Sequence, residues 1–132
     1  MKQMIYQKDR ITPGEILFED TYKNIDFVIV SYGTHPCAYI KIPESNKYYN
    51  IDYLEADELL NFPVNGGLTF YGGLSKLNKD GRWYGWDYAH CSDYCGYEEA
   101  FPEDLRTGGK KWTTEEIYEE VKAAIDILVR EL

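Results

Sequence analysis

Residues 25–32, Ile-Asp-Phe-Val-Ile-Val-Ser-Tyr, limit the folds open to this chain more than any other stretch. They are β-branched and aromatic, almost unbroken in apolar character, and closed by Gly33, as a strand would be. A strand that apolar needs cover on both faces, which places it in the middle of a sheet. The turn Gly33-Thr34-His35-Pro36 leads to a second strand from Cys37 to Ile42. There Ala38, Ile40 and Ile42 alternate with Cys37, Tyr39 and Lys41 until Pro43 stops the run. So short a connection predicts a hairpin or near-neighbour pairing of the two strands.

The other strong signal is a C-terminal helix. Thr113 can cap it and Glu116 can complete a capping box. Ile117, Val121, Ala124, Ile125, Leu128 and Leu132 recur every three or four residues and define one apolar face. Glu115, Glu119, Lys122, Asp126 and Arg130 lie off it, with Asp126 and Arg130 spaced as a favourable pair. Such a helix packs across a sheet.

Between these signals the reading is coarser. Residues 15–19 are a short strand or one helical turn, and periodicity does not separate the two at this length. Asp52 to Leu60 reads as a short helix with Leu54, Leu59 and Leu60 apolar. Gly66-Gly67 and Gly72-Gly73 bracket a short strand as two tight turns. Lys79-Asp80-Gly81 reads as a hairpin turn feeding a strand over 83–88. On that strand Trp83, Gly85 and Asp87 face one way, the more open one. Tyr84, Trp86 and Tyr88 face the core. The expectation is one α+β domain over residues 1–132, a mainly antiparallel sheet of four or five strands with the 113–132 helix on one face.

Charge narrows the partners. Fourteen basic side chains stand against 23 acidic ones, a net charge of −9. Backbone binding of nucleic acid and attachment to an anionic membrane both need the opposite sign. Three cysteines cannot all pair, and no secretory or membrane-spanning apolar run is present. The expected setting is the cytoplasm, with reduced thiols.

Residues 82–97 gather two of the three tryptophans, two of the three cysteines and one of the two histidines. The core is Trp83-x-Gly85-x-Asp87-x-x-His90-x-x-Asp93. A histidine between carboxylates at spacings of three has its protonated form stabilised, which suits acid/base work or a polar contact with a ligand. The same trio serves equally as a buried hydrogen-bond network tying a loop to the sheet. Cys91 and Cys95 with His90, and Cys37 or His35 from afar, lack the spacing of a zinc site, so no metal and no cofactor is expected. Arg82, Trp83, Tyr84 and Tyr94 add aromatic plates and a cation. With Asp87, His90 and Asp93 they are the candidate residues for holding a partner protein or a nucleotide-like ligand. His90, Asp87 and Asp93 are also the catalytic candidates under a hydrolase reading. Surface tyrosines leave room for a homo-oligomer.

The pattern Trp83-x-Gly85-x-Asp87-x-x-His90-x-x-Asp93-Tyr94, followed by Trp112-Thr-x-Glu-Glu-Ile-x-x-Glu-Val and the amphipathic helix, resembles a group of small proteins of Firmicutes-type phages and mobile elements. The resemblance covers about the C-terminal half of the chain. Where typical members read Gly-Phe-Asp-Cys-Ala-His, this chain has Gly85-Trp86-Asp87-Tyr88-Ala89-His90, one candidate cysteine ligand fewer. The group brings no activity to carry over. It implies an accessory or anti-defence setting, in which a small acidic protein blocks a host protein or sequesters a nucleotide signal.

Overall fold

The structure is a computed structural model and describes residues 15–31, 35–60, 62–88 and 112–130. Five antiparallel strands form one sheet: β1 (Glu15–Tyr22), β2 (Ile25–Ser31), β3 (Pro36–Ile42), β4 (Phe70–Leu74) and β5 (Lys79–Asp87), in the order β1-β2-β3-β5-β4. The short helix α1 (Asp57–Leu60) follows β3, and the long helix α2 (Thr114–Arg130) closes the described chain. The helix packs against β1, β2 and β3, so the α+β architecture stands.

The run at 25–31 lies between β1 and β3, as its two-sided apolar character requires, and pairs with β3 from Phe27↔Ile40 to Ser31↔Pro36. Residues 15–19 resolve into a strand because β2 offers them a ladder. β1 and β2 are joined by Lys23 and Asn24, both at positive φ (50° and 64°), the conformation that a two-residue hairpin demands. Lys-Asn is a weaker signal than Asn-Gly, and the hairpin is not readable from sequence. Lys23 Nζ reaches Asp126 at 2.7 Å and the Tyr22 hydroxyl donates to the same carboxylate at 3.1 Å. Asp126 therefore ties the hairpin to α2 as well as lying one turn from Arg130.

The helix begins as its capping box predicts. Glu116 N–H donates to Thr113 Oγ1 at 3.2 Å, and Thr113 N–H donates to Glu116 Oε1 at 3.0 Å. Ile117, Val121, Ala124, Ile125 and Leu128 are all fully buried, each contributing about 1.5–3 kcal/mol where the side chain is large. Leu132 lies outside the described residues. Thr113→Ala should cost about 1 kcal/mol, read as a lower denaturant midpoint at unchanged m-value.

Three expectations need correction. The glycine pair 72–73 lies inside β4, beside a bulge between Gly72 and Leu74, rather than in a turn. The β4–β5 reversal falls on the 3₁₀ turn Ser75–Leu77, closed by Asn78 in the left-handed region, whose N–H donates to Ser75 O at 3.0 Å. Lys79, Asp80 and Gly81 already belong to β5. The turn shifts upstream because Leu74 and Leu77 anchor it to the sheet. Finally, the segment 52–60 breaks into a 3₁₀ turn (Tyr53–Glu55) and α1, and Leu54 projects into solvent at 68% exposure while Leu59 is buried.

The sheet has apolar clusters on both faces. Leu17, Phe27, Ile29, Ala38, Ile40, Tyr84, Trp86 and Tyr88 pack under α2, whereas Val28, Val30, Cys37, Tyr39, Leu74 and Trp83 form a second cluster. The face read as the more open one is thus also a core over Trp83 and Gly85.

Candidate binding surface

β5 carries the first half of the motif and splits it, because neighbouring side chains on a strand point to opposite faces. Trp86 and Tyr88 turn toward α2. The Trp86 indole donates to the Tyr88 hydroxyl at 2.8 Å, which donates to Glu120 Oε1 at 2.6 Å; Asn65 N–H reaches the same oxygen at 3.0 Å. Each polar tip in this chain has a partner, which is what burial of two tyrosine- and tryptophan-sized groups requires. The network joins β5, the 62–69 loop and α2.

Asp87 is half-buried on the opposite face. Thr69 Oγ1 donates to its Oδ2 at 3.4 Å, Asn65 Nδ2 donates to its carbonyl at 3.4 Å, and Cys37 is its register partner on β3. Burial, and then the Asp87 charge, push the Cys37 thiol up to about 12 from an ordinary 9.0. The raised value means that the folded state holds the proton more tightly. Cys37 leaves stability unchanged below about pH 9 and lowers it as pH rises from there toward 12. In a Cys91→Ser/Cys95→Ser background, Cys37 should resist a thiol reagent at neutral pH until the domain unfolds. Labelling of the folded domain as fast as of the unfolded one would contradict this.

Trp83 is only 2% exposed, and its indole donates to Asp80 O at 2.9 Å. The ring floors a cleft of about 420 Å³ lined also by Glu19, Asp20, Asp26, Lys41 and Lys79. Lys79 pairs with Glu19 at 2.6 Å and Lys41 with Asp80 at 3.5 Å, so the cleft's cations are already matched by its own carboxylates.

Arg82 and Tyr71 build a different surface, with Tyr84 buried beneath them. The Tyr84 hydroxyl lies between the carbonyls of Tyr48 (3.1 Å) and Ile51 and donates to them, and burial followed by Tyr71 raises its pKa well above the usual phenol range. Tyr71 donates to Tyr49 O at 2.8 Å and accepts from Arg82 Nη1 at 2.9 Å; the Arg82 guanidinium lies 5.2 Å from the centre of the Tyr49 ring. Asn46, itself buried, links the same loop to the Leu128 carbonyl of α2 at 3.4 Å and caps Tyr48 N–H at 2.8 Å. The 46–55 segment is therefore held from both sides. It ends in the 3₁₀ turn, where Leu54 N–H donates to Asp52 Oδ1 at 3.0 Å and Asp52 N–H to Glu55 Oε1 at 3.1 Å. This second capping box fixes the exposed Leu54. Sequence reasoning missed this surface, although the Asp52-x-x-Glu55 spacing was its signal.

Of the sequence candidates, the structure places Arg82 on this surface, Tyr84 buried beneath it, Trp83 under the cleft and Asp87 on the Cys37 side. His90, Asp93 and Tyr94, together with Cys91 and Cys95, lie outside the described residues. Among the described residues no trio of His, Cys, Asp or Glu gathers as metal ligands, and no helix is long and apolar enough to cross a membrane. Compared with protein families, with curated proteins and with solved structures, the chain finds no match in any of the three.

Proposed function

We propose that this chain is a non-enzymatic binding protein of the phage accessory, anti-defence kind, and that it takes hold of a host protein through the surface built by Arg82, Tyr71 and residues 46–55. One observation carries this reading: Leu54 is the exposed large apolar side chain of the described residues, and it is carried on a capped turn in the segment whose Tyr49 ring meets the Arg82 guanidinium. Tyrosine, arginine and a rigid apolar anchor are the residue types that concentrate binding energy at protein interfaces, and a surface ordered before binding loses less entropy on association.

Sequestration of a small ligand is the second reading, favoured by the size of the cleft over Trp83. The carboxylates of Glu19, Asp20, Asp26 and Asp80 around it weigh against a phosphate-bearing ligand. Native mass spectrometry of the protein purified gently from its own host separates the two. A stoichiometric complex with a second, different protein is the expected result. A discrete small-molecule mass, lost on denaturation and bound to an otherwise bare chain, would sink the protein-partner reading in favour of sequestration.

A further inference from the structure

We infer that the outer edge of β4 pairs with the same edge of a second copy of this chain, antiparallel and about a two-fold axis, so that two sheets join into one. This contact lies apart from the surface proposed above and does not depend on it. The sheet has two edges, β1 and β4. An edge strand offers a row of backbone N–H and C=O groups, and what satisfies such a row is another strand. β1 is guarded by charge: it carries Glu15, Glu19 and Asp20, the last two exposed. β4, Phe70-Tyr71-Gly72-Gly73-Leu74, has no charge and no proline. It lies in the longest uncharged run of the sequence, residues 59–75, and the next charge is Lys76 on the turn. Among the described residues no strand pairs with its outer side.

Charge and symmetry select the occupant. Two chains at −9 repel one another across most of their surfaces. An uncharged edge is where they can meet without setting carboxylates face to face, whereas a basic partner would gain nothing there. α2 packs against β1, β2 and β3, at the other end of the sheet from β4, so the helices of two copies stay clear of the junction. The bulge between Gly72 and Leu74 keeps the free ladder short, and side chains must add to it. Tyr39, Phe70, Gly73, Leu74 and Leu77 line a cavity of about 380 Å³ beside this edge. Pairing centred on Gly72 and Gly73 carries each copy's half-buried Phe70 to the other's Leu74–Leu77 turn, where that cavity opens. The fit is reciprocal, as a two-fold contact requires.

Sedimentation velocity of the full chain between about 5 and 500 μM tests this. The expected result is a reversible dimer, of twice the 15.4 kDa chain mass, with a Kd in the micromolar range. Amide hydrogen exchange in β4 should slow as the dimer forms, while exchange in β1 stays unchanged. Gly73 is the position to alter. It is exposed, its φ is not positive, and a Cβ there would come no nearer than 3.7 Å to the Gly81 carbonyl oxygen, so the fold accepts a side chain. Gly73→Glu should raise Kd about tenfold or more, because like charges then face each other near the axis; Gly73→Ser should leave it within about twofold. A monomer across the whole range would overturn the inference. So would a dimer that tolerates Gly73→Glu, or one that slows exchange in β1 rather than β4. If Gly73→Glu fails to fold, exchange in the unaltered chain decides, and β4 amides indifferent to concentration would overturn the pairing.

Discussion

Trp86→Ala is expected to lower the melting temperature by more than 10 °C, or to abolish a cooperative transition altogether. The indole is 1% exposed between the sheet and α2, and truncating a buried tryptophan costs about 3–5 kcal/mol. Against a total stability of about 5–15 kcal/mol, that is a large share of what holds the domain together. The substitution also takes a donor from the Tyr88 hydroxyl, whose bond to Glu120 fastens β5 to α2. Trp86→Phe keeps most of the ring and loses the N–H, so it should fall between the two. Thermal unfolding followed by circular dichroism decides it. A shift below about 3 °C for the alanine variant, equivalent to under about 1 kcal/mol for a chain of this size, would mean that the indole is not packed as described.

Gly85→Val is expected to be nearly as severe, for the opposite reason. A Cβ at residue 85 would stand 2.4 Å from Cδ1 and 2.6 Å from Cε1 of Tyr39, and 3.2 Å from the Ala38 carbonyl oxygen. Tyr39 and Phe70 are the register partners of Gly85 on its two sides, and their rings meet edge to face at 5.3 Å above the sheet. The glycine leaves the space in which the tyrosine ring lies. Overpacking of this kind costs about 1–3 kcal/mol and more where backbone must give way. Gly85→Ala should sit at the low end of that range. Its effect should shrink when combined with Tyr39→Ala, since the clash is then gone; strictly additive losses in the double variant would show that Tyr39 does not fill the gap.

These two positions also show how far the motif can be read without a fold. The alternation Trp83-Tyr84-Gly85-Trp86-Asp87-Tyr88 correctly separates two faces, and Trp86 and Tyr88 correctly fall on the helix side. Gly85 looks like an opening in the sequence, because a missing side chain says nothing about which neighbour covers it. Tyr39 comes from another strand, 46 positions away, and only register brings the ring there. The same applies to Arg82, whose bond to Tyr71 and stacking on Tyr49 come from segments that only the fold brings to it. Leu54 misled in the other direction: at helical spacing it reads as core, yet the segment breaks after Glu55 and the side chain is left outside.

What the sequence alone determined are the elements whose hydrophobic period and end signals agree. They are the central strand 25–31, its neighbour 36–42, the strand bearing the motif and the capped helix from Thr114, and with them the α+β class. Each is specified by residues within a few positions of one another. The tertiary structure alone decided where the β4–β5 reversal falls, that β1 joins β2 through Lys23-Asn24, that Tyr39 closes over Gly85, and that Arg82 bonds Tyr71 and stacks on Tyr49. Those outcomes depend on contacts between residues far apart in the chain, whose energies appear only once the strands are in register.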